Sequence, residues 1–452
     1  MRYFFIGIGG VSMSALAKLL WHQGAVVAGS DAVESENTKE LRQMGMQIFI
    51  GHQASNLQDV DCLVINGAIA DNNPELLKAR EDGLKIIYRE ELLAKVARRY
   101  QNVIAIAGCH GKSSTTAIVG QIFQAAGAEP TIHNGVKNNL QIGSKKFFIT
   151  EACEFRKSFL KLRPAIAIVT NVDADHLDCY KDLADIKACF AKFAREADVL
   201  IKNAEDANSV DLVGKRQTIT FGINHGLVHT KNLHQLYNGH YVFELVFDSK
   251  VFPIYFQNPV LHLTVPGKHN VYNALAAVAC AVYCGLDINA IKGAVANFQG
   301  IARRFEQLGT IDGTPIILDY AHHPREIQTT IQTANSLYRK YLLVFQPHTY
   351  TRTIALWDDF VTVLSKVKHL VLYKTYAARG KVIVGGRALD LSRKLKAKYF
   401  ANTKTLKKYL REHVKEFDAV ILCGAGDVVS GDFLRDTNLL ATLDWQLLSA
   451  II

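Results

Sequence analysis

Apolar and polar positions along this chain alternate between two periods. Short apolar runs rich in Ile, Val, Phe and Tyr give way to glycine-marked turns, and these to stretches where apolar residues recur every three or four positions. That succession predicts strand–helix–strand units, which pack as a parallel sheet covered by helices. Residues 3–8 read as a strand, followed by a glycine turn and a helix over about 12–23; further strands are predicted at 25–30, 46–50 and 62–65. A basic, polar stretch near 95–101 separates this unit from a new strand at 102–107. The pattern continues through strands at 147–150, 166–170, 199–202 and 218–220, a β-rich segment over about 225–263, and a small-residue helix at 273–284. Strands at 316–320, 341–345, 370–373 and 419–423 make a last unit. The expected fold class is α/β, with three domains in series over residues 1–97, 98–305 and 306–452.

Composition agrees with several ordinary domains. At 452 residues the chain exceeds a single domain of roughly 150 residues about threefold. No apolar run reaches the ~18 to 20 residues of a membrane-spanning helix, so no membrane insertion is expected. Residues 1–10 carry one Arg, a brief apolar stretch and then glycines, which reads as a mature cytoplasmic N-terminus. Eight cysteines lie scattered without a C-x-x-C pair, which suits reduced thiols better than disulfides or zinc. Of the net charge of +10, about +8 falls in residues 301–452, and residues 387–411 alone hold nine basic residues and one acid. No aromatic interleaving or nucleic-acid motif accompanies that run, so it reads as a solvated helix face and no nucleic acid is expected as a partner.

Four groups of residues carry candidate chemistry. Ala107-Gly108-Cys109-His110-Gly111-Lys112-Ser113-Ser114 lies between a predicted strand and a predicted helix. Glycines there let backbone N–H groups approach phosphate oxygens, Lys112 reaches the terminal phosphates, and the Ser113 hydroxyl suits Mg²⁺. Ile106 occupies the first glycine position of the usual phosphate-loop pattern. Gly7-Ile8-Gly9-Gly10 follows the first strand, with Asp31 closing the second; it reads either as a Rossmann-like turn for a nucleotide's phosphates or as a plain tight turn. Glu151-Ala152-Cys153-Glu154 and the run from Asn171 through Asp173, Asp175 and His176 follow strand ends, where a parallel sheet faces its ligand crevice and Mg²⁺ needs oxygen ligands. Polar clusters around Asn270 and Asn273, Arg303-Arg304, Asp319 to His323, and His348 to Arg352 supply amide, guanidinium and imidazole groups suited to a polyanion.

With these motifs in order, the chain resembles the Mur ligases along its whole length. The matching strings are G-x-G-G-x-x-M-S, G-x-H-G-K-[ST]-[ST]-T, E-A-x-E, N-x-D-x-D-H-L-D, G-x-H-N-x-x-N, R-R-F-E, D-Y-A-H-H-P and Q-P-H-x-Y-T-R. The resemblance implies a Rossmann-like first domain for a UDP sugar, a central P-loop-type ATPase domain, and a Rossmann-like C-terminal domain for an amino acid. It implies ATP and Mg²⁺ as cofactors and an acyl phosphate that an amine attacks. His110, Met13-Ser14 and the Q-P-H-x-Y-T-R run point to the alanine-adding branch, with UDP-N-acetylmuramate and L-alanine as substrates in peptidoglycan synthesis, cell-wall biogenesis, cell shape and division. Sister ligases carry a carbamylated lysine where this chain has Phe190. The alternatives are a recycling ligase that attaches a murein tripeptide to the same sugar, and a non-catalytic nucleotide-binding homologue.

Carried over by position, Lys112 and Arg304 contact ATP phosphates within a loop of Gly108, His110, Gly111, Ser113 and Ser114. Ser113, Glu151 and His176 hold magnesium, Asn270 and Asp319 the adenosine, and His348 and Arg352 the amino-acid or muramoyl carboxylate. Gly9, Gly10 and Asp31 bind the UDP sugar. Cys109 and Ser113-Ser114 replace more usual threonines, and Ser12 a glycine. A monomer or weak homodimer is expected.

Overall fold

The computed structural model describes residues 1–136, 139–175, 179–252, 258–378, 382–430 and 433. The chain forms three α/β domains in series, each built on its own sheet, and divides into two compact units. Residues 1–234, 242–263 and 270–298 make the first unit; residues 235–241, 264–269 and those from 299 onward make the second.

The first sheet contains β1 Arg2–Ile6, β2 Val26–Asp31, β3 Gln47–Ile50, β4 Cys62–Ile65 and β5 Lys85–Tyr88 in the order β3-β2-β1-β4-β5. All its pairings are parallel. Helices cover both faces, so Phe4, Phe5 and Ile6 of β1 and Leu63 and Val64 of β4 are all buried rather than alternating. The order reverses beside β1, which places the glycine turn that follows it at the crevice of the sheet. β5 has no counterpart in the sequence reading. The helix Arg89–Ala97 runs into the basic stretch near 95–101 and buries Leu92, Leu93, Val96 and Ala97.

The second sheet, in the same unit apart from Gln235 and Tyr241, comprises β6 Asn102–Ala107, β7 Thr131–His133, β8 Leu140–Gln141, β9 Phe147–Glu151, β10 Ile166–Val169, β11 Val199–Asn203, β12 Gln217–Gly222, β13 Val228–Gln235, β14 Tyr241–Phe247 and β15 Val260–Leu263. Among the described residues its order is β15-β14-β13-β12-β11-β10-β6-β9-β7-β8. β6 is central, flanked in parallel by β9 and β10, so the segments after all three strands emerge at one edge. The predicted helix at 273–284 starts earlier, at Lys268, and Val271 and Ala274 to Ala281 along it are fully buried. Phe190 is fully buried too, edge-on to Phe159 with ring centroids 5.0 Å apart.

The second unit carries β16 Glu306–Ile311, β17 Thr314–Asp319, β18 Tyr341–Gln346, β19 Leu370–Tyr373, β20 Lys398–Phe400 and β21 Ala419–Gly424, ordered β16-β17-β21-β18-β19-β20. β16 is antiparallel to β17 and the remaining pairings are parallel. Among the described residues no helix is long and apolar enough to cross a membrane.

Candidate functional site

Candidate site residues gather at the C-terminal ends of central strands in each sheet. After β6 the chain turns through Gly108 (φ +136°) and Gly111 (φ +85°) into the helix Lys112–Ala125, whose start has no side-chain cap. The first N–H groups of such a helix point outward and favour an anion. A Cβ at Gly111 would lie 2.5 Å from Asn273 Oδ1, and Asn273 also accepts from Thr115 Oγ1 at 3.2 Å and donates to Asn270 Oδ1 at 3.0 Å. Asn270 and Asn273 therefore support the loop from the start of the helix Lys268–Tyr283.

Lys112 Nζ donates to the carbonyls of Gly108 and Cys109 and lies 3.0 Å from Glu154 Oε1. Burial works against the Lys112 charge, but Glu154, with Cys153 and Cys109 adding to it, holds the ammonium above its ordinary range. Glu154, 1% exposed, is thus the counter-ion of the loop lysine. The motif offered Glu154 with Glu151 as an acid for Mg²⁺; the structure pairs it with Lys112 instead. The rest of the loop hangs from the end of β10: His110 N donates to Asn171 Oδ1 at 2.9 Å, and Thr170 Oγ1 donates to His110 O at 2.6 Å. His110 Nε2 lies 3.3 Å from Asp173 Oδ2. Cys109 exchanges hydrogen bonds with the Asp173 main chain, thiol to O at 3.3 Å and N to sulfur at 3.1 Å.

Glu151 ends β9 and accepts from Gly135 N at 2.7 Å through Oε1, which leaves Oε2 for a further contact. Its carboxylate and the Ser113 hydroxyl are hard oxygen donors, the set that Mg²⁺ takes, and the two glycines leave the close approach a phosphate needs. Residues and groups fit. Ser114 is buried under the loop. His176 lies outside the described residues.

In the first sheet, Gly9 N donates to Asp31 Oδ2 at 2.9 Å and Gly10 N to Gly7 O at 3.2 Å. Asp31 is thus a brace of the turn, and the turn's outward donors are those of the helix Val11–His22, which also lacks a side-chain cap.

In the second unit, Arg304, Asp319, His348 and Arg352 come together around residues the sequence left unassigned. Glu326 accepts from Arg304 Nη1 at 3.4 Å and from His322 N at 3.1 Å. The Arg304 guanidinium also lies over Tyr320, 5.6 Å from the ring centroid. Arg352 Nη1 is 3.1 Å from His348 Nδ1. A guanidinium only donates, so Nδ1 accepts and His348 keeps its proton on Nε2. Burial, with His322 and Arg352 adjoining, lowers His348 to about 4 and keeps it neutral at pH 7.

Burial pushes the Asp319 carboxyl up to about 6, against the pull of Arg304. An acid raised on folding holds a proton that the unfolded chain releases. Its contribution therefore favours the folded state at low pH and is lost as pH rises through about 6. Asp319→Asn is expected to flatten the pH dependence of stability in this window, read as urea midpoints at pH 5 and 7.5. An unchanged slope would contradict the assignment.

Comparison with known proteins matches this geometry to one family over all three domains. Residues 2–101 match the family described as "Mur ligase family, catalytic domain", residues 106–281 the "Mur ligase middle domain", and residues 303–426 the "Mur ligase, glutamate ligase domain". The chain is 41% identical over 445 residues to the UDP-N-acetylmuramate–L-alanine ligase of Clostridium novyi (strain NT), covering 94% of this chain and 95% of that protein. Among solved structures, the UDP-N-acetylmuramate-alanine ligase of Thermotoga maritima aligns with a TM-score of 0.81 at 28% identity, over 96% of this chain and 99% of that one. The murein peptide ligase of Psychrobacter arcticus shares the fold, with a TM-score of 0.73 at 22% identity over 100% of this chain and 98% of that one. By its three matched domains and its near-complete alignment with such relatives, the chain belongs to the Mur ligase family.

Proposed function

We propose that this protein is a cytoplasmic ATP-dependent ligase that joins L-alanine to the lactyl carboxylate of UDP-N-acetylmuramate in peptidoglycan precursor synthesis. The observation that carries this reading is the 41% identity, end to end, to a UDP-N-acetylmuramate–L-alanine ligase. Likeness to the murein peptide ligase extends to the fold, so the recycling reaction is the weaker alternative. Lys112, Glu151 and Arg304 are all present, which argues against a non-catalytic homologue.

The reaction divides into two displacements. A lactyl carboxylate oxygen attacks the γ-phosphorus of ATP and ADP leaves, giving an acyl phosphate. The alanine amine then attacks the acyl carbon, and the tetrahedral intermediate loses a proton from nitrogen and expels phosphate, leaving the amide. Catalysis of such transfer is mainly positioning and charge neutralisation. On the first unit, the uncapped helix start after Gly111 and the Lys112 ammonium are the groups for the ATP phosphates, and Ser113 with Glu151 those for magnesium. Magnesium supplies positive charge there when bound. Asn270 adjoins this loop through Asn273, in keeping with a place near the nucleotide. The glycine turn and the helix Val11–His22 take the UDP diphosphate, with Gly9 and Gly10 braced by Asp31 and Gly7. On the second unit, Arg304 contributes a cation for phosphate and Asp319 an acceptor for the nucleoside. Arg352 is the carboxylate anchor, and His348 offers Nε2–H as a neutral donor beside it.

Phosphate release across a panel of twenty amino acids and a murein tripeptide, with ATP, Mg²⁺ and UDP-N-acetylmuramate, tests the reading. Release dependent on L-alanine supports it; dependence on a murein tripeptide, or none at all, overturns it. Glu151→Ala is expected to raise the Mg²⁺ concentration for half-maximal rate about tenfold or more, because the site loses a charged oxygen ligand. A superimposable Mg²⁺ titration would remove Glu151 from the metal site.

A further inference from the structure

One ordered line of hydrogen bonds crosses the first unit through residues that the mechanism does not use. Ser12 is the second residue of the helix that follows the glycine turn, His133 ends β7, and Thr150 precedes Glu151 on β9. Arg89 Nη1 lies 3.3 Å from Ser12 Oγ, and Ser12 Oγ 3.0 Å from His133 Nε2. His133 Nδ1 lies 2.9 Å from Thr150 Oγ1, which is 3.1 Å from the Glu151 carbonyl oxygen.

The donor of each bond follows from the ends of the line. A carbonyl only accepts, so Thr150 gives its proton to Glu151 and must accept from His133. Burial, with Arg89 nearby, lowers the His133 imidazole to about 4, so at neutral pH it has one N–H, on Nδ1. Nε2 then accepts from the Ser12 hydroxyl, and Ser12 accepts from Arg89. Every proton points the same way, from the glycine turn toward the strand that carries Glu151.

The residues after His133 reach the other parts of the site. Asn134 Nδ2 donates to Ser113 O at 3.4 Å, and Gly135 N donates to Glu151 Oε1 at 2.7 Å. Asn139 fastens the same helix start, its Nδ2 donating to Ser14 Oγ at 2.8 Å. The segment His133–Asn134–Gly135 therefore touches the helix of the glycine turn, the helix of the phosphate loop and the Glu151 carboxylate. A glycine at position 12 could not make the first of these contacts and would leave a buried imidazole nitrogen without its donor, which is costly.

We infer that Ser12 and His133 are positioning residues that couple ligand binding at the glycine turn to the placement of the Glu151 carboxylate. A diphosphate at the uncapped helix start orders Ser12 and Arg89, and the directed bonds order His133 to Gly135. A second ligand that needs Glu151 then meets a segment already fixed, which gives positive coupling. The inference rests on the proposed reading of that turn as the UDP-sugar site and of Glu151 as the magnesium ligand.

Calorimetric titration of a non-hydrolysable ATP analogue with Mg²⁺, with and without saturating UDP-N-acetylmuramate, measures the coupling without turnover. In the native protein the UDP sugar is expected to tighten analogue binding about tenfold, within the usual range for coupled sites. Ser12→Ala and His133→Gln are each expected to reduce that factor below about twofold, and the double variant to reduce it no further, since residues in one line are not additive. Analogue affinity without the UDP sugar stays unchanged in Ser12→Ala. Nitrogen-15 spectra of histidine-labelled protein, assigned by subtraction with His133→Gln, are expected to show His133 protonated on Nδ1. Ser12 is only half-buried, so Ser12→Ala carries the test if His133→Gln does not fold. Coupling that survives Ser12→Ala, additive losses in the double variant, or a proton on Nε2 would each overturn the inference. Native protein that binds both ligands without coupling overturns the inference alone, whereas failure to bind either ligand overturns the functional reading beneath it.

Discussion

Lys112→Ala is expected to lower the ligation rate at saturating substrate by about 10³-fold or more, the scale on which an electrostatic clamp on a transferring phosphoryl group acts. Sequence alone suggests that such a variant would leave the fold intact. The structure says otherwise, because Lys112 neutralises Glu154, whose carboxylate is 1% exposed and 3.0 Å away. Removing one partner of a buried pair leaves the other's charge poorly compensated, at a cost of up to about 3 to 5 kcal/mol. Two effects are therefore superimposed, and a second substitution separates them. Lys112→Ala with Glu154→Gln is expected to recover most of the lost stability, read as a urea midpoint, while turnover stays at the level of the single variant. Recovery of turnover in the double variant would mean that Lys112 acts only through the fold.

Gly108→Ala is expected to have the next largest effect. Its φ of +136° is a region that residues with a Cβ rarely adopt, and the added Cβ would lie 2.0 Å from Thr170 Oγ1 and 3.1 Å from Asn171 N. Thr170 and Asn171 are the residues that hold His110, so relief of the clash displaces the loop itself. Strain of about 1 to 3 kcal/mol from the backbone adds to about 1 to 3 kcal/mol from overpacking. Nucleotide affinity is expected to fall at least about a hundredfold, a loss of roughly 2.7 kcal/mol. Gly127→Ala is the control: φ there is +70° but nothing lies within 4 Å of its Cβ, so it carries backbone strain alone and should bind nucleotide normally. Equal nucleotide affinity in the two variants would show that the close packing at Gly108 does not matter.

These cases mark how far the amino-acid sequence could be read. The strand at Asn102–Ala107 and the loop after it were legible because an apolar run from Val103, a glycine pair and a Lys-Ser helix start each carry a local signal. β5, β7, β8 and β20 were not, since runs of two to four residues at or near sheet edges show too little periodicity to separate from loop. β16 escaped for another reason. Its Gly309 interrupts the alternation at an irregularity in the pairing with β17. Within the site, the identity of Lys112 was written locally, but its partner Glu154 lies 42 residues away, and the different contacts of Glu151 and Glu154 depend on how the chain turns just after β9. The contact of Ser12 with His133 spans 121 residues and two sheets, and nothing in either segment announces the other. Glu326, to which the sequence assigned nothing, lies in the first turn of a helix and anchors Arg304.

Cys109 has a consequence for inhibitor design. A cysteine in a phosphate loop invites the idea of a covalent drug aimed at sulfur. Here the thiol is 7% exposed, exchanges hydrogen bonds with the Asp173 main chain, and is pushed far up by burial and by Glu154. The thiolate that an electrophile needs is therefore scarce, and the sulfur offers little surface for an attacking group to reach. Warheads that alkylate exposed, acidic cysteines should pass this one by, and compounds directed at the loop would have to bind through its backbone donors instead.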